Sequence, residues 1–197
     1  MAPEPNLIEN GPGVAEASPG RRPRWHGVAL GIVAVAVVVV IGTLIIVDPG
    51  SPGSEPTASR FDLPALSGAG RTSLASFRGR PVVVTLFASW CDTCRAELPG
   101  FATTARHLRA SVVFIGIDSL ETGNGLAMAR EYGLTTSGFV LLRDVGPGSS
   151  AYHDAIGARG MPATAFYNPQ GRLLQVDQGG ISEAQLLSTI ERLYGVT

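Results

Sequence analysis

The sequence predicts an α/β domain carried behind a single membrane span, and three observations predict it. From Arg60 onward strand and helix signals alternate along the chain. Gly27 to Val47 is nearly all Val, Ile, Ala, Leu or Gly and carries no charge. The only two cysteines stand three apart in Trp90-Cys91-Asp92-Thr93-Cys94, directly after the strand-like run Pro81 to Ala88.

Residues 1–26 include Pro3, Pro5, Pro12, Pro19 and Pro23 and few large apolar groups. Such a composition does not offset the entropy of ordering, so a disordered cytoplasmic tail is expected. Residues 27–47 form a stretch of 21, which as a helix is about 31 Å long at about 1.5 Å per residue, enough to cross a bilayer. A buried core helix of that length would keep a polar face, and this run has none. Arg21, Arg22 and Arg24 precede it, and Asp48 and Glu55 follow. The positive-inside rule therefore puts the N-terminus in the cytoplasm and the rest of the chain outside, in a single-pass protein of the cell membrane. A cleavable signal peptide is the competing reading; the run exceeds the usual signal core, and no Ala-x-Ala closely follows Val47. Residues 48–59 are a Pro/Gly/Ser linker, and 60–197 are the extracytoplasmic domain.

Within that domain a short hairpin is expected over 61–74, with strands at 81–88, 112–117, 163–167 and 172–176. The last two flank Asn168-Pro169-Gln170-Gly171, turn chemistry that makes them an antiparallel hairpin. Helices are expected after Cys91 and around 125–132, 149–156 and 182–194. The last has a Ser182/Gln185 capping pair and sets Leu186, Leu187, Ile190, Leu193 and Tyr194 on its apolar face.

At about 100° per residue, Cys94, Leu98, Phe101, Ala105 and Leu108 share one stripe of the helix after Cys91. Cys94 is thus predicted to face the core and Cys91 to meet solvent at the helix start, where free N–H groups and the helix dipole stabilise a thiolate. Two intervening residues let the sulfurs join across one turn and cycle between dithiol and disulfide. Half a zinc site would share the spacing, but no second Cys-x-x-Cys exists, and His26, His107 and His153 are scattered. A purely structural disulfide would close too short a loop to constrain the unfolded chain much. Glu97, three residues past Cys94, lies at the edge of the stripe. Desolvation there would raise its pKa and let it exchange a proton with the pair; the alternative is a solvated helix charge. His107 falls on the outer face. The net charge of −1 offers nothing to nucleic acid, and all 15 basic residues are arginine, which excludes lysine chemistry.

Phe61-Asp62-Leu63-Pro64, Phe77-Arg78-Gly79-Arg80-Pro81, the Phe87-Ala88-Ser89-Trp90-Cys91 approach, Glu97, Pro99 and Gly160-Met161-Pro162-Ala163-Thr164 together resemble the membrane-anchored TlpA/ResA-like branch of the thioredoxin superfamily. The resemblance covers about 60–195. It implies a thioredoxin-like fold, a central mixed β-sheet flanked by helices, and a redox-active Cys91–Cys94 pair without further cofactor or metal. It also implies a buried glutamate at Glu97, a helix-kinking Pro99, a cis Met161–Pro162 bond facing the dithiol, and client contact through Trp90, Met161 and Pro162. Expected partners are exported proteins with disulfides, apocytochrome c among them, and a membrane thiol-electron donor.

The chain also departs from relatives of this fold. Thr85 stands where cytoplasmic thioredoxins carry a buried aspartate, and Asp92-Thr93 replaces a proline-containing dipeptide. The charge of Asp92 should disfavour the Cys91 thiolate. A peroxiredoxin would carry threonine and proline where this chain has Ala88 and Val84. A SCO-like copper carrier would join the cysteines to a distant histidine such as His153, with one more residue between them. A disulfide-forming oxidase of the same fold is the alternative direction of redox work.

Overall fold

Every residue of Val82–Phe87 is buried, because a run that is apolar and β-branched apart from the hydroxyl of Thr85 suits a central strand covered on both faces. In this computed structural model, which describes residues 60–145 and 151–196, that run is the third of seven strands. The elements are β1 (Asp62–Pro64), β2 (Arg71–Ser73), a 3-10 turn (Leu74–Phe77), β3 (Val82–Phe87), α1 (Asp92–Leu108), β4 (Val113–Asp118) and α2 (Gly125–Glu131). A second 3-10 turn (Leu134–Thr136), β5 (Val140–Arg143), α3 (Ala151–Ala155), β6 (Ala163–Tyr167), β7 (Leu173–Gln178) and α4 (Glu183–Tyr194) complete them.

The main sheet has the order β5-β4-β3-β6-β7. β3 and β4 are parallel, as are β4 and β5, whereas β6 runs antiparallel to both β3 and β7. The sheet is therefore mixed, with β6–β7 as the expected hairpin. β1 and β2 form a separate hairpin tied to the edge of the sheet by an Ala65–Leu142 bridge. Strand alternation divides the core. Val82, Val84 and Leu86 join Val113, Ile115, Ile117, Phe61 and Tyr152, while Val83 meets Phe101, Phe114, Leu186 and Ile190, and Phe87 meets Leu98 and both cysteines.

β5 was not expected. It has only four residues, half of them at intermediate exposure, too short for an alternation signal. Leu187 is 38% exposed and so does not belong to the apolar face of α4; Thr189 is buried instead, since Leu187 lies about 100° around the helix from Leu186. Among the described residues no helix is long and apolar enough to cross a membrane. The expected tail, span and linker over 1–59, and the start of the helix expected from 149, lie outside the described residues.

Candidate active site

Cys91 caps α1 with its own side chain: the backbone N–H of Cys94 donates to Cys91 Sγ at 3.1 Å. The chain leaves β3, turns through a Cys91 N–H to Ala88 carbonyl bond of 3.0 Å, and enters the helix with Cys91 still extended. The first sulfur thus sits on the unpaired N–H groups and positive dipole end of the helix, a setting that favours negative charge. The two cysteines are joined as a disulfide with Cα atoms 5.3 Å apart. Cys94 is fully buried, as the helical stripe predicts. Cys91, expected to meet solvent, is only 4% exposed, because Leu66, Met161 and the helix itself crowd the same cluster.

Glu97 is 6% exposed and lies one turn beyond Cys94. Its Oε1 accepts from the Thr85 hydroxyl at 3.4 Å and its Oε2 from the Ile181 backbone N–H at 3.0 Å. Thr85 occupies the position in β3 that points toward α1. Burial pushes the Glu97 carboxyl up to about 7, opposed by the Ile181 and Thr85 hydrogen bonds. The group therefore populates both protonation states near neutrality. Thr93, Gly100, Gly180 and Ser182 join Glu97 around a groove of about 450 Å³ that opens the carboxyl toward solvent. At Gly180 a Cβ would stand 2.6 Å from Thr93 Cγ2, so glycine is what lets the β7–α4 loop approach the start of α1.

Met161 packs against the cluster that contains both cysteines, and the Met161–Pro162 bond is cis. Pro162 is buried, and its carbonyl accepts from Gly179 N–H at 2.9 Å. Trp90 is 48% exposed, the most exposed large apolar side chain described, with its indole N–H donating to the Leu120 carbonyl at 2.8 Å. The Asp92 side chain is 92% exposed and 3.4 Å from the Arg95 guanidinium, so water and a counter-charge screen its field at Cys91. His107 is exposed. His153 is buried with Nδ1 2.9 Å from Asp154 Oδ1, and among the described residues no group of three or more His, Cys, Asp or Glu is placed to hold a metal ion.

Sequence reasoning missed the loop after β4. Glu121 accepts from the backbone N–H of Ser89 at 2.7 Å and from its hydroxyl at 2.5 Å. The buried Asp118 carboxyl lies behind it. Burial and the adjacent Glu121 push Asp118 up to about 8, against a smaller opposing pull from Arg143. Burial also raises Glu121, but the hydrogen bonds from Ser89, Asp118 and Gly123 prevail and hold it at about 2. The available signal was topological: the carboxyl ends of adjacent parallel strands lie side by side, so a residue just after β4 reaches one just after β3.

A model of the AhpC/TSA family matches residues 55–176. The thiol-disulfide oxidoreductase ResA of Bacillus subtilis is 25% identical over 141 residues, which cover 69% of this chain and 72% of ResA. The soluble secreted antigen MPT53 of Mycobacterium tuberculosis is 34% identical over 87 residues, 44% of this chain and 49% of MPT53. Among solved structures, that of MTB dsbF in its mixed oxidized and reduced forms superimposes with a TM-score of 0.62 at 26% identity, over 71% of this chain and 99% of that one. The family match spans more than half of the sequence, and the mixed sheet carries a Cys-x-x-Cys at the start of its first long helix. The chain belongs to the AhpC/TSA family and is a thiol-disulfide oxidoreductase of the ResA/TlpA-like kind within the thioredoxin superfamily.

Proposed function

We propose that the chain is a membrane-anchored, extracytoplasmic reductase of disulfides in exported proteins, with apocytochrome c as a fitting client. The observation that supports it most is the Cys91 sulfur held on the α1 N-terminus with Glu97 buried one turn behind Cys94, where burial pushes its carboxyl up to about 7. In the reduced state the Cys91 thiolate attacks a client disulfide. A Cys91–client bond forms, and the first client sulfur leaves and takes up a proton. Glu97 accepts the proton of Cys94, whose thiolate attacks Cys91 and releases the second client sulfur. The client gains two electrons, and the chain ends as the Cys91–Cys94 disulfide. A membrane thiol donor then restores the dithiol. Trp90 and Met161 flank the pair, and the backbone before Pro162 offers an extended client a strand-like partner.

The location rests on the 27–47 run and on secreted relatives such as MPT53. In a Cys94→Ser variant the second thiolate is gone, so a mixed disulfide with client should accumulate through Cys91. Accumulation only with Cys91→Ser would reverse the two roles. A reduction potential of the pair near or below about −230 mV fits the reductase, and one near −120 mV would make it an oxidase.

A further inference from the structure

The loop after β4 grips the segment that leads into the dithiol more tightly than the turn itself requires. Besides the Asp118 side chain, four donors converge on the Glu121 carboxylate: Ser89 N–H at 2.7 Å, Ser89 Oγ at 2.5 Å, Thr122 N–H at 2.8 Å and Gly123 N–H at 2.5 Å. Ser89 Oγ accepts in turn from Asn124 N–H at 3.2 Å, and the Arg95 guanidinium donates to the Ser89 carbonyl. One residue on, the Trp90 indole is fixed to the Leu120 carbonyl. Leu120 has φ +54°, the only described non-glycine residue in the left-handed region. That conformation is unfavourable for a leucine and persists only where its surroundings impose it. Gly123 fits by close approach, since a Cβ there would stand 2.6 Å from Ser89 Oγ.

Nothing in the exchange chemistry assigned to Cys91, Cys94 and Glu97 uses these contacts. What they do geometrically is hold a large, half-exposed aromatic ring beside a nearly buried sulfur. We infer that Glu121 and Leu120 form a positioning clasp that, through Ser89 and Trp90, presents the Trp90 ring as a fixed docking face for an extended polypeptide carrying the target disulfide. Glu121 touches no reacting atom; it acts through the ring. A flat aromatic surface held in place loses little freedom when a client settles on it, and a free one loses more. This inference rests on the reading of Trp90 as a client contact.

The test compares two oxidants of the reduced full-length chain: a disulfide-bonded peptide and a small aromatic disulfide with no peptide to dock. Glu121→Ala should lower kcat/KM for the peptide about tenfold, mainly through KM, as expected for lost charge-assisted hydrogen bonds, and should lower the small-disulfide rate at least five times less. Gly123→Ala, which keeps the carboxylate and wedges Ser89 away, should act in the same direction by about threefold. Trp90→Ala and Trp90→Ala/Glu121→Ala should lose peptide activity equally, because the clasp has nothing left to hold. Equal losses toward both oxidants, or losses that multiply in the double variant, would overturn the clasp. A wild-type chain that reduces neither disulfide would instead overturn the reductase reading on which it rests.

Discussion

Glu97 is held inside the domain at an energetic disadvantage. A carboxyl whose pKa rises from 4.5 to about 7 on folding keeps its proton in the native state while the unfolded chain has lost it. The contribution of this one group is complete below pH 4.5 and declines as pH rises to 7, by about 1.4 kcal/mol per pH unit, on the order of 3 kcal/mol in all. Glutamine keeps the shape and can still accept from Ile181 N–H, while the Thr85 hydroxyl can turn to accept from the new amide. Glu97→Gln should therefore be more stable than the native chain at pH 8 and close to it at pH 4, as read by denaturant unfolding. The same variant should exchange disulfides on the order of a hundredfold more slowly, the low end of what positioned proton transfer supplies, with a changed pH profile of thiol alkylation. Unaltered rates and profile would make Glu97 a structural carboxyl only.

At the scale of elements, α1 has to meet the sheet, α4 and the dithiol at once. Pro99 lies inside it and cannot donate to the Arg95 carbonyl four residues back; one turn on, the Thr103 hydroxyl donates to the Pro99 carbonyl at 3.0 Å. Gly100 lets α4 cross closely, for a Cβ there would stand 2.9 Å from Glu183 Cβ and 3.5 Å from its backbone. Gly100→Ala gains about 1 kcal/mol of helix propensity but must displace the first turn of α4, at about 1–3 kcal/mol. A net loss of stability on the order of 1 kcal/mol is expected in thermal unfolding, with a fall in exchange rate because the Ile181 bond to Glu97 lies just before that turn. The stripe from Cys94 to Leu108, the four long core strands and the Ser182/Gln185 capping box were legible because each repeats a period or follows a local rule. β5, the seclusion of Cys91 and the Glu121 contact were not. Each arises from what lies across the fold: a sheet edge, the packing of Leu66 and Met161, and the meeting of two parallel strand ends.

For the whole domain, three carboxyls set how stability responds to pH, and they pull in opposite directions. Glu121, held at about 2 in the native state, contributes stability that is present above pH 4.5 and lost as pH falls toward 2. Glu97 and Asp118, raised to about 7 and about 8, contribute stability that is present below about pH 4 and lost as pH rises through those values. From pH 2 to about 4 the first effect makes the fold stronger. Between 4.5 and 7 two groups weaken it together, and above 8 these losses are complete. The stability of the oxidised chain, in which the cysteines do not titrate, should therefore peak near pH 4 and fall toward pH 8, against the common maximum between about pH 5 and 8. Denaturant midpoints across that range measure it. Asp118→Asn should flatten the decline on the alkaline side, since it removes the carboxyl that must stay protonated beside Glu121. A wild-type profile that rises from pH 4 to 8 would mean that neither Asp118 nor Glu97 is held protonated in the folded domain, and an Asp118→Asn variant with the same slope as the parent would mean that Asp118 is not.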